Sequence, residues 1–369
     1  MNCKKKILFL VNHDVVIYNF RKELVEELLL QGYDVIISSP KGERIKYLQQ
    51  MGCRYVESTI DRHGTNPFLE LRLYQYYKML IRKIHPDIVL TYTIKPTLYG
   101  AIAAEKNGIP CIVNITGLGM ALEKKGLLQK ILIEIYRRSL RKVQCVFFQN
   151  ESNLEFFERH KIRCRKKVLL PGSGVNIKEY SYEPYPQYPP EKTKFLFVGR
   201  IMEDKGVDEY LEAAYKIKRT YPDVEFGMVG FLDGKYQEKM KKYQDNNIIQ
   251  YYGQQMDMKL FYKKASAVVL PSYHEGMANV LLEAAATGRP VLASNIPGCR
   301  ETFDEGISGL GFQKKNVESL VEKMKMFIEL PREKKELMGK CGREKMEQQF
   351  DRGFVVGEYM KMINKFVKE

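Results

Sequence analysis

The sequence predicts an α/β protein of two doubly wound domains, each with helices covering both faces of a parallel β-sheet. Three observations lead to this fold class. A chain of 369 residues is long enough for two cores. Short runs rich in β-branched and aromatic residues alternate with helix-length segments in both halves. Residues 179–193 contain four prolines and cannot form a helix or an interior strand, so they separate the halves.

The first half begins with a buried strand and then repeats the alternation. Residues 18–32 are predicted to form its first helix, which ends at Gly32 because glycine readily adopts the left-handed conformation of a helix end. The predicted strands of this half are 6–11, 34–39, 87–92, 111–116 and 145–150.

The second half repeats the scheme after the proline-rich segment, and the chain ends in an amphipathic helix. Ligands of doubly wound sheets bind beyond the carboxyl ends of the strands, so we expect the two sheets to face a cleft. The predicted strands of this half are 194–200, 225–230, 248–253, 267–272 and 290–294. The predicted segments are an N-terminal Rossmann-like domain (1–178), a linker (179–193), a C-terminal Rossmann-like domain (194–345) and a terminal helix (346–369) whose packing on the N-terminal domain is left open.

The composition is that of a soluble globular protein, with 44% hydrophobic and 28% charged residues. No apolar stretch approaches the roughly 18–20 residues needed to span a bilayer. The N-terminal sequence has a short apolar run without a small-residue cleavage site, so it is not predicted to be a secretory signal. The seven cysteines are scattered and include no C-x-x-C pair, which indicates free thiols in a reducing cytoplasm.

The positive charge is concentrated in the first half. Residues 1–170 hold 29 Lys and Arg against 16 Asp and Glu, whereas the whole chain has a net charge of +15. A basic face attracts nucleic acid, anionic membrane or an acidic ligand, and charge alone does not choose among them. The sequence contains no nucleic-acid recognition motif and no tight cluster of basic and aromatic residues. We therefore expect no nucleic-acid partner.

The first strand of the second half leads into VGRIMEDKG (198–206). Gly199 at the strand end allows a sharp turn, after which Arg200 and Lys205 project from the loop. An arginine fork and a lysine point charge a few residues apart suit a diphosphate. Two solvated surface cations are the alternative interpretation.

A second stretch, PSYHEGMANVLLEAAATGRP (271–290), places two glutamates eight positions apart around a helix that is otherwise apolar. Glu283 lies within that helix, where a buried carboxylate needs partners. On one helix Glu275 and Glu283 would be about 12 Å apart along the axis, too far for a hydrolytic carboxylate pair. They suit hydroxyl groups at the two ends of a long ligand, with an anion site at the helix N-terminus between them. That site would be formed by Gly276, Met277, Ala278 and Asn279.

These motifs resemble the retaining nucleotide-sugar glycosyltransferases of family 4, which have the GT-B fold. The likeness lies in EGMANVLLE (275–283), AAATGRPVLAS (284–294) and VGRIMEDKG, and it continues through PGCRETFDEGISGLGF (297–312). It implies that Glu275 contacts the donor sugar, Glu283 the ribose, and Arg200 and Lys205 the diphosphate of a UDP-sugar.

The first half resembles a bacterial subgroup that builds lipid-linked oligosaccharides, through YNFR (18–21), TYTIKPTLYG (91–100) and NITGLG (114–119). The likeness is to enzymes that add N-acetylgalactosamine to an undecaprenyl-diphosphate-linked amino sugar, and to their capsule and O-antigen relatives. Many family members have a histidine where this chain has Thr116, and His13 is a candidate substitute. The remaining acceptor-side candidates are Arg21 and Lys95, for an acceptor diphosphate, and Gly117. Ordinary surface cations are the alternative for Arg21 and Lys95.

Residues 120–143 have the pattern of a helix that lies on anionic lipid. An internal helix with a basic outer face would look similar. The apolar stripe comprises Leu127, Leu128, Ile131, Leu132 and Ile135, and the flanking cations are Lys124, Lys125, Lys130, Arg137, Arg138, Arg141 and Lys142.

Together these features predict an enzyme on the cytoplasmic face of the membrane that moves a sugar, with N-acetylgalactosamine favoured, from UDP to a polyprenyl-diphosphate-linked saccharide. The resemblance implies retention at the anomeric carbon. The sequence has no D-x-D pair or His/Asp ligand cluster, so we expect no metal and no cofactor. A GT-B nucleotide-sugar 2-epimerase, and a non-catalytic basic protein that binds membrane or nucleic acid, are the alternatives.

Overall fold

Each of the two compact units of the chain contains one parallel β-sheet. One unit comprises Met1–Ser173 with Gly353–Glu369, and the other comprises Gly174–Arg352. Both sheets carry helices on both faces, and this confirms the predicted fold class. The structure, a computed structural model, describes residues 4–58, 66–118, 122, 126–187, 189 and 192–367.

The first unit has a seven-stranded sheet in the order β3-β2-β1-β4-β5-β6-β7. All neighbouring strands are parallel. The central strands are continuous apolar runs because both faces of the sheet are covered. The strands are β1 (Lys6–Leu10), β2 (Asp34–Ser39), β3 (Arg54–Glu57), β4 (Ile88–Tyr92), β5 (Cys111–Ile115), β6 (Cys145–Phe148) and β7 (Lys167–Leu169).

The helices of this unit form two layers. Helices α4 to α7 pack on one face of the sheet, and α1 to α3 pack on the other face together with α14 (Arg352–Val367). A π-helical turn at Pro96–Gly100 leads directly into α5. The helices are α1 (Asp14–Phe20), α2 (Lys22–Leu30), α3 (Ile45–Gln50), α4 (Pro67–Ile84), α5 (Ala101–Lys106), α6 (Leu127–Leu140) and α7 (Glu151–Arg159).

The predicted single helix over residues 18–32 is wrong, because the chain forms two helices there. Arg21 lies between them with φ −138° and ψ 11°, outside the helical region. Gly32 has φ +83°, which fits the predicted helix end. Two edge strands, β3 and β7, were not predicted because they are short and only partly buried, so their sequences lack an apolar run.

The second unit has a six-stranded parallel sheet in the order β10-β9-β8-β11-β12-β13. Strand β13 was not predicted, since its sequence GLGF contains two glycines, which weaken a strand pattern. The strands are β8 (Lys194–Val198), β9 (Glu225–Val229), β10 (Gln250–Tyr251), β11 (Ala267–Leu270), β12 (Val291–Ser294) and β13 (Gly309–Phe312).

Helices also cover both faces of the second sheet. The described part of the proline-rich segment 179–193 contains neither helix nor strand, in keeping with its composition. Searched over the described residues, none of the helices combines the length and apolar character needed to cross a bilayer. The helices are α8 (Val207–Thr220), α9 (Gln237–Asp245), α10 (Lys259–Lys264), α11 (Asn279–Ala286), α12 (Val317–Glu329) and α13 (Arg332–Lys345).

Both sheets have a topological switch point, where the connections from two adjacent strands leave toward opposite faces. It lies between β1 and β4 in the first sheet and between β8 and β11 in the second. Ligands of doubly wound folds bind at such points, beyond the carboxyl ends of the strands. The loops that follow these four strands are therefore where a site is expected.

Candidate active site

The loops after β8 and β11 meet at the switch point of the second sheet, and they carry the predicted catalytic side chains. Lys205 Nζ lies 2.5 Å from Glu275 Oε1, and both side chains are largely buried. The hydroxyl of Ser272 donates to the same carboxylate oxygen at 2.7 Å. Arg200 lies on the β8 loop with an exposed side chain. The structure thus brings Lys205 and Glu275 into direct contact and leaves Arg200 at the surface.

Glycines allow the backbones of these loops to touch. Gly206 has φ +68°, and a Cβ there would lie 2.0 Å from the carbonyl oxygen of Pro271. Gly298, in the loop after β12, has φ +84°, and its Cβ would lie 2.7 Å from the carbonyl oxygen of Glu275. Any side chain at either position would separate the loops. The backbone around Glu275 is therefore fixed from two sides.

The segment that leads into α11 is tightly packed. Met277 and Ala278 are buried, and the amide of Ala278 donates to the carbonyl of Gly298 at 2.8 Å. Helix α11 begins at Asn279, so Glu275 and Gly276 belong to the preceding loop rather than to the helix. The amide of Asn279 donates to the carbonyl of Met277, and the amides of Leu281 and Leu282 donate to the carbonyl of Ala278. The first turn carries the positive end of the helix dipole, which makes it a suitable place for an anion.

Glu283 lies on the second turn of α11 and is half-buried. The hydroxyl of Tyr262, on α10, donates to Glu283 Oε2 at 2.7 Å. Burial raises the pKa of the Glu283 carboxyl to about 7, and the hydrogen bond from Tyr262 opposes the rise. The sequence predicted a partnered carboxylate here, but nothing in it pointed to Tyr262, which is 21 positions away on another helix.

Two further side chains of the site were not found from the sequence. The hydroxyl of Tyr273 donates to both carboxylate oxygens of Glu209, at 2.7 and 2.9 Å, in the unit's interior. The amide of Tyr273 also donates to the carbonyl of Asp204 at 2.9 Å, which ties the β11 loop to the β8 loop. The sequence carried no signal for this pair, because a tyrosine in a loop and a glutamate in a helix are ordinary surface residues in isolation.

The loops of the first unit hold the acceptor-side candidates. His13 follows β1 and caps α1, and its Nδ1 lies 2.5 Å from Asp14 Oδ1. Thr116 and Gly117 follow β5 and are half-buried. His13 is thus at the switch point of this sheet, whereas Thr116 and Gly117 lie in the loop after β5, which neighbours β4.

Two acceptor-side candidates are already engaged within the first unit. Lys95 Nζ donates to Glu70 Oε1 at 2.6 Å. Arg21 is 2% exposed, and its guanidinium lies 5.3 Å from the ring centres of both Tyr92 and Tyr359. The structure places Arg21 inside the unit instead of at its surface. A ligand reaches its guanidinium only if these rings move.

Among the described residues, no group of three or more His, Cys, Asp or Glu side chains is arranged to hold a metal ion. Arg200 and Lys205 supply two positive charges on the loop after β8, and Lys315 Nζ lies 4.4 Å from the ring centre of Tyr273 on the loop after β11.

Two family models match the two halves of the chain. A model described as glycosyl transferase 4-like matches residues 6–150, and one described as glycosyl transferases group 1 matches residues 185–345. The chain belongs to the glycosyltransferases. The second match spans the loops of this glycosyltransferase that hold Lys205 and Glu275, together with Glu283.

Curated relatives resemble the glycosyltransferase over most of its length. One is the N,N'-diacetylbacillosaminyl-diphospho-undecaprenol alpha-1,3-N-acetylgalactosaminyltransferase of Campylobacter jejuni, which is 25% identical over 98% of this chain and 99% of the relative. Another is the UDP-Gal:alpha-D-GlcNAc-diphosphoundecaprenol alpha-1,3-galactosyltransferase of Escherichia coli, which is 28% identical over 68% of each chain.

Solved structures show the same fold. An Anabaena protein crystallised with UDP and glucose superimposes with a TM-score of 0.78 at 16% identity, over 98% of this chain and all of the other. A glycosyltransferase from Rickettsia africae gives the same TM-score at 20% identity over the full length of both chains. These likenesses confirm the predicted GT-B fold.

Proposed function

We propose that this glycosyltransferase moves a sugar from a UDP-sugar to a polyprenyl-diphosphate-linked saccharide in the assembly of a bacterial surface glycan. An N-acetylhexosamine is the proposed sugar, with N-acetylgalactosamine favoured. The observation that carries the proposal is the near full-length likeness to the Campylobacter jejuni transferase, whose acceptor is a diphospho-undecaprenol sugar. The contact between Lys205 and Glu275 at the switch point of the second sheet supports it.

The second unit is proposed to bind the donor. Arg200, Lys205 and the first turn of α11 would hold the diphosphate, because a guanidinium, an ammonium and the positive end of a helix dipole all favour negative charge. Glu275 would accept hydrogen bonds from the donor sugar, and Glu283 from the ribose. Lys205 forms an ion pair with Glu275. A bound diphosphate would share Lys205, which frees one carboxylate oxygen for a sugar hydroxyl.

Retention at the anomeric carbon is proposed to follow attack on the face from which the nucleotide leaves. A bond forms between the acceptor oxygen and the anomeric carbon, while the bond from that carbon to the phosphate oxygen breaks and leaves its electron pair on UDP. The departing phosphate takes the acceptor's proton. The protein's contribution is electrostatic, since Arg200, Lys205 and the α11 amides stabilise the charge that develops on the diphosphate. This step requires no metal and no cofactor.

The first unit is proposed to bind the acceptor, with Thr116 and Gly117 near the sugar and Lys95 near the diphosphate. Lys95 would exchange Glu70 for a phosphate, which the positive charge of this unit favours. Arg21 would support the acceptor loop from within, through its contacts with Tyr92 and Tyr359.

The same unit is proposed to dock on the inner face of the cell membrane. On α6 the side chains of Leu127, Leu128 and Ile131 are 75%, 53% and 48% exposed, while Ile133 and Tyr136 face the core. Leu132 and Ile135 pack partly against that core, so one face of the helix is buried and the other is exposed. Lys124 and Lys125 lie outside the described residues. Exposed leucines beside basic residues are typical of helices that bind anionic lipid.

The first two turns of α4 add to this surface. Phe68 is 79% exposed and Leu71 is 57% exposed. Helices α4 and α6 lie on the same face of the sheet, and both begin near the carboxyl ends of its parallel strands. The apolar side chains on their first two turns therefore share one end of the unit, which is also the end that carries His13, Lys95 and Thr116.

The test is to measure UDP release from a panel of UDP-sugars, with and without a short polyprenyl-diphosphate-linked sugar. We expect release from one donor only when the acceptor is present. Conversion of a UDP-sugar to its epimer without acceptor would show a 2-epimerase instead. Equal rates in wild type and a Glu275→Ala variant would show that the site does not catalyse transfer.

A further inference from the structure

His13 and Asp14 form a pair in which one histidine nitrogen contacts a buried carboxylate. Asp14 is 1% exposed, whereas the His13 side chain is 37% exposed. Asp14 Oδ1 lies 2.5 Å from His13 Nδ1. The buried carboxylate is thus the inner partner of a histidine that reaches the surface.

The carboxylate of Asp14 is held on every side. Its Oδ1 accepts the amide of Val15 at 2.9 Å, and its Oδ2 accepts the amide of Arg44 at 2.7 Å. A Cβ at Gly42 would lie within 2.1–2.3 Å of the carboxylate atoms, so glycine is needed there for the loop to close over Asp14. Asp14 cannot turn away without breaking these contacts, and the contact with His13 is correspondingly fixed.

This contact selects the tautomer of His13. An ionised carboxylate only accepts hydrogen bonds, so His13 Nδ1 must carry the proton that bridges to Asp14. The amide of Val15 lies farther from His13 Nδ1, at 3.3 Å, than from Asp14 Oδ1. Whenever the ring is neutral, Nε2 therefore has a free lone pair and can only accept a hydrogen bond.

We propose that His13 Nε2 accepts a hydrogen bond from a hydroxyl group of the acceptor saccharide, and that Asp14 is the positioning residue that fixes this tautomer. His13 lies at the switch point of the unit's sheet, beyond the carboxyl end of β1, where a ligand of this fold would bind. A hydroxyl matches an acceptor nitrogen, whereas a phosphate, which only accepts, does not. The inference rests on the proposed acceptor role of the first unit.

A matched pair of variants tests the inference. In His13→Asn the side-chain amide nitrogen can still donate to Asp14 in the place of Nδ1, and asparagine is a preferred N-cap residue, but nothing replaces Nε2. In His13→Gln the longer amide can bring an oxygen to about the position of Nε2. We expect His13→Asn to lower the acceptor-dependent rate about 10- to 100-fold and His13→Gln to recover part of it. A purely structural capping role predicts the opposite order.

Asp14→Asn supplies a second measurement. The amide would favour the other tautomer, so a folded variant should lose as much activity as His13→Asn, and the double variant should lose no more than either single one. If Asp14→Asn does not fold, the comparison of His13→Asn with His13→Gln still tests the role of His13 Nε2. If the wild-type protein transfers sugar and His13→Asn does so at the same rate, this inference is wrong while the proposed function stands. No acceptor-dependent transfer by the wild-type protein overturns the proposed function itself.

Discussion

Replacement of Glu283 by glutamine should stabilise the protein at alkaline pH while it impairs the enzyme. Glu283 is held by Tyr262 and by the apolar side chains around α11, and burial raises the pKa of its carboxyl from 4.5 to about 7. A raised carboxyl pKa means that the folded chain binds the proton more tightly than the unfolded chain. Stability from this group is therefore complete below pH 4.5 and is lost as the pH rises toward 7.

The magnitude follows from the two pKa values. Each pKa unit corresponds to 1.36 kcal/mol, so ionised Glu283 costs about 3 kcal/mol of folding free energy at pH 8. At pH 5.5 the same pKa values give a cost of about 1 kcal/mol. Glutamine keeps an oxygen that accepts the hydrogen bond from Tyr262 and carries no charge. The free energy of unfolding that Glu283→Gln gains relative to wild type should therefore be about 2 kcal/mol larger at pH 8 than at pH 5.5.

The assay is guanidinium unfolding of both proteins at the two pH values, followed by circular dichroism. The matched control is Glu238→Gln, because Glu238 is an exposed glutamate on α9. Its free energy of unfolding should differ from that of wild type by the same small amount at both pH values. We expect Glu283→Gln also to bind UDP-sugar more weakly, because stability gained at a functional carboxylate usually lowers activity. An equal free-energy difference at both pH values, or a variant less stable than wild type at pH 8, would refute the reasoning.

Three further predictions concern the loops, the metal and the membrane. Gly206→Ala should destabilise the second unit and abolish donor binding, since its Cβ would lie 2.0 Å from the carbonyl oxygen of Pro271, and intact UDP binding by calorimetry would contradict this. EDTA should leave the transfer rate unchanged, and a loss restored by Mg²⁺ or Mn²⁺ would show that a metal is needed. Leu128→Asn should weaken sedimentation with anionic vesicles about tenfold, because the side chain is 53% exposed and would be buried in lipid. Leu337→Asn is the control, because Leu337 is exposed on α13 of the other unit. An equal loss of vesicle binding in Leu337→Asn would contradict a specific membrane-binding surface on the first unit.

The fold class was predictable because its signal is local. Buried parallel strands such as β1, β4 and β11 are continuous apolar runs that can be read from the sequence without knowledge of their neighbours. The strands that were missed, β3, β7 and β13, lie at sheet edges or contain glycine, so their pairing depends on neighbouring strands rather than on their own sequence. The break at Arg21 also depends on tertiary contacts, because its guanidinium packs against Tyr92 and Tyr359.

The candidate site was predictable where one motif carries several functional groups. Glu275 and Glu283 were found because their spacing in an apolar helical segment is unusual, and Lys205 because it follows a strand that ends in glycine. The partners Ser272 and Tyr262 were not found, since their roles come from distance rather than sequence position. Asp14 adjoins His13 in the sequence, but its burial, which makes it a fixed partner, is visible only in the structure.

The measurement that tests the central claim most directly is mass spectrometry of the lipid-linked saccharide after incubation with the donor, using wild-type protein and Glu275→Gln. Glutamine at 275 keeps the size of the side chain and removes the charge that now pairs with Lys205. The proposed function predicts that wild type adds one sugar to the acceptor and that Glu275→Gln adds none while it still binds UDP. An acceptor left unmodified by wild type with every donor, or modified equally well by the variant, would contradict it.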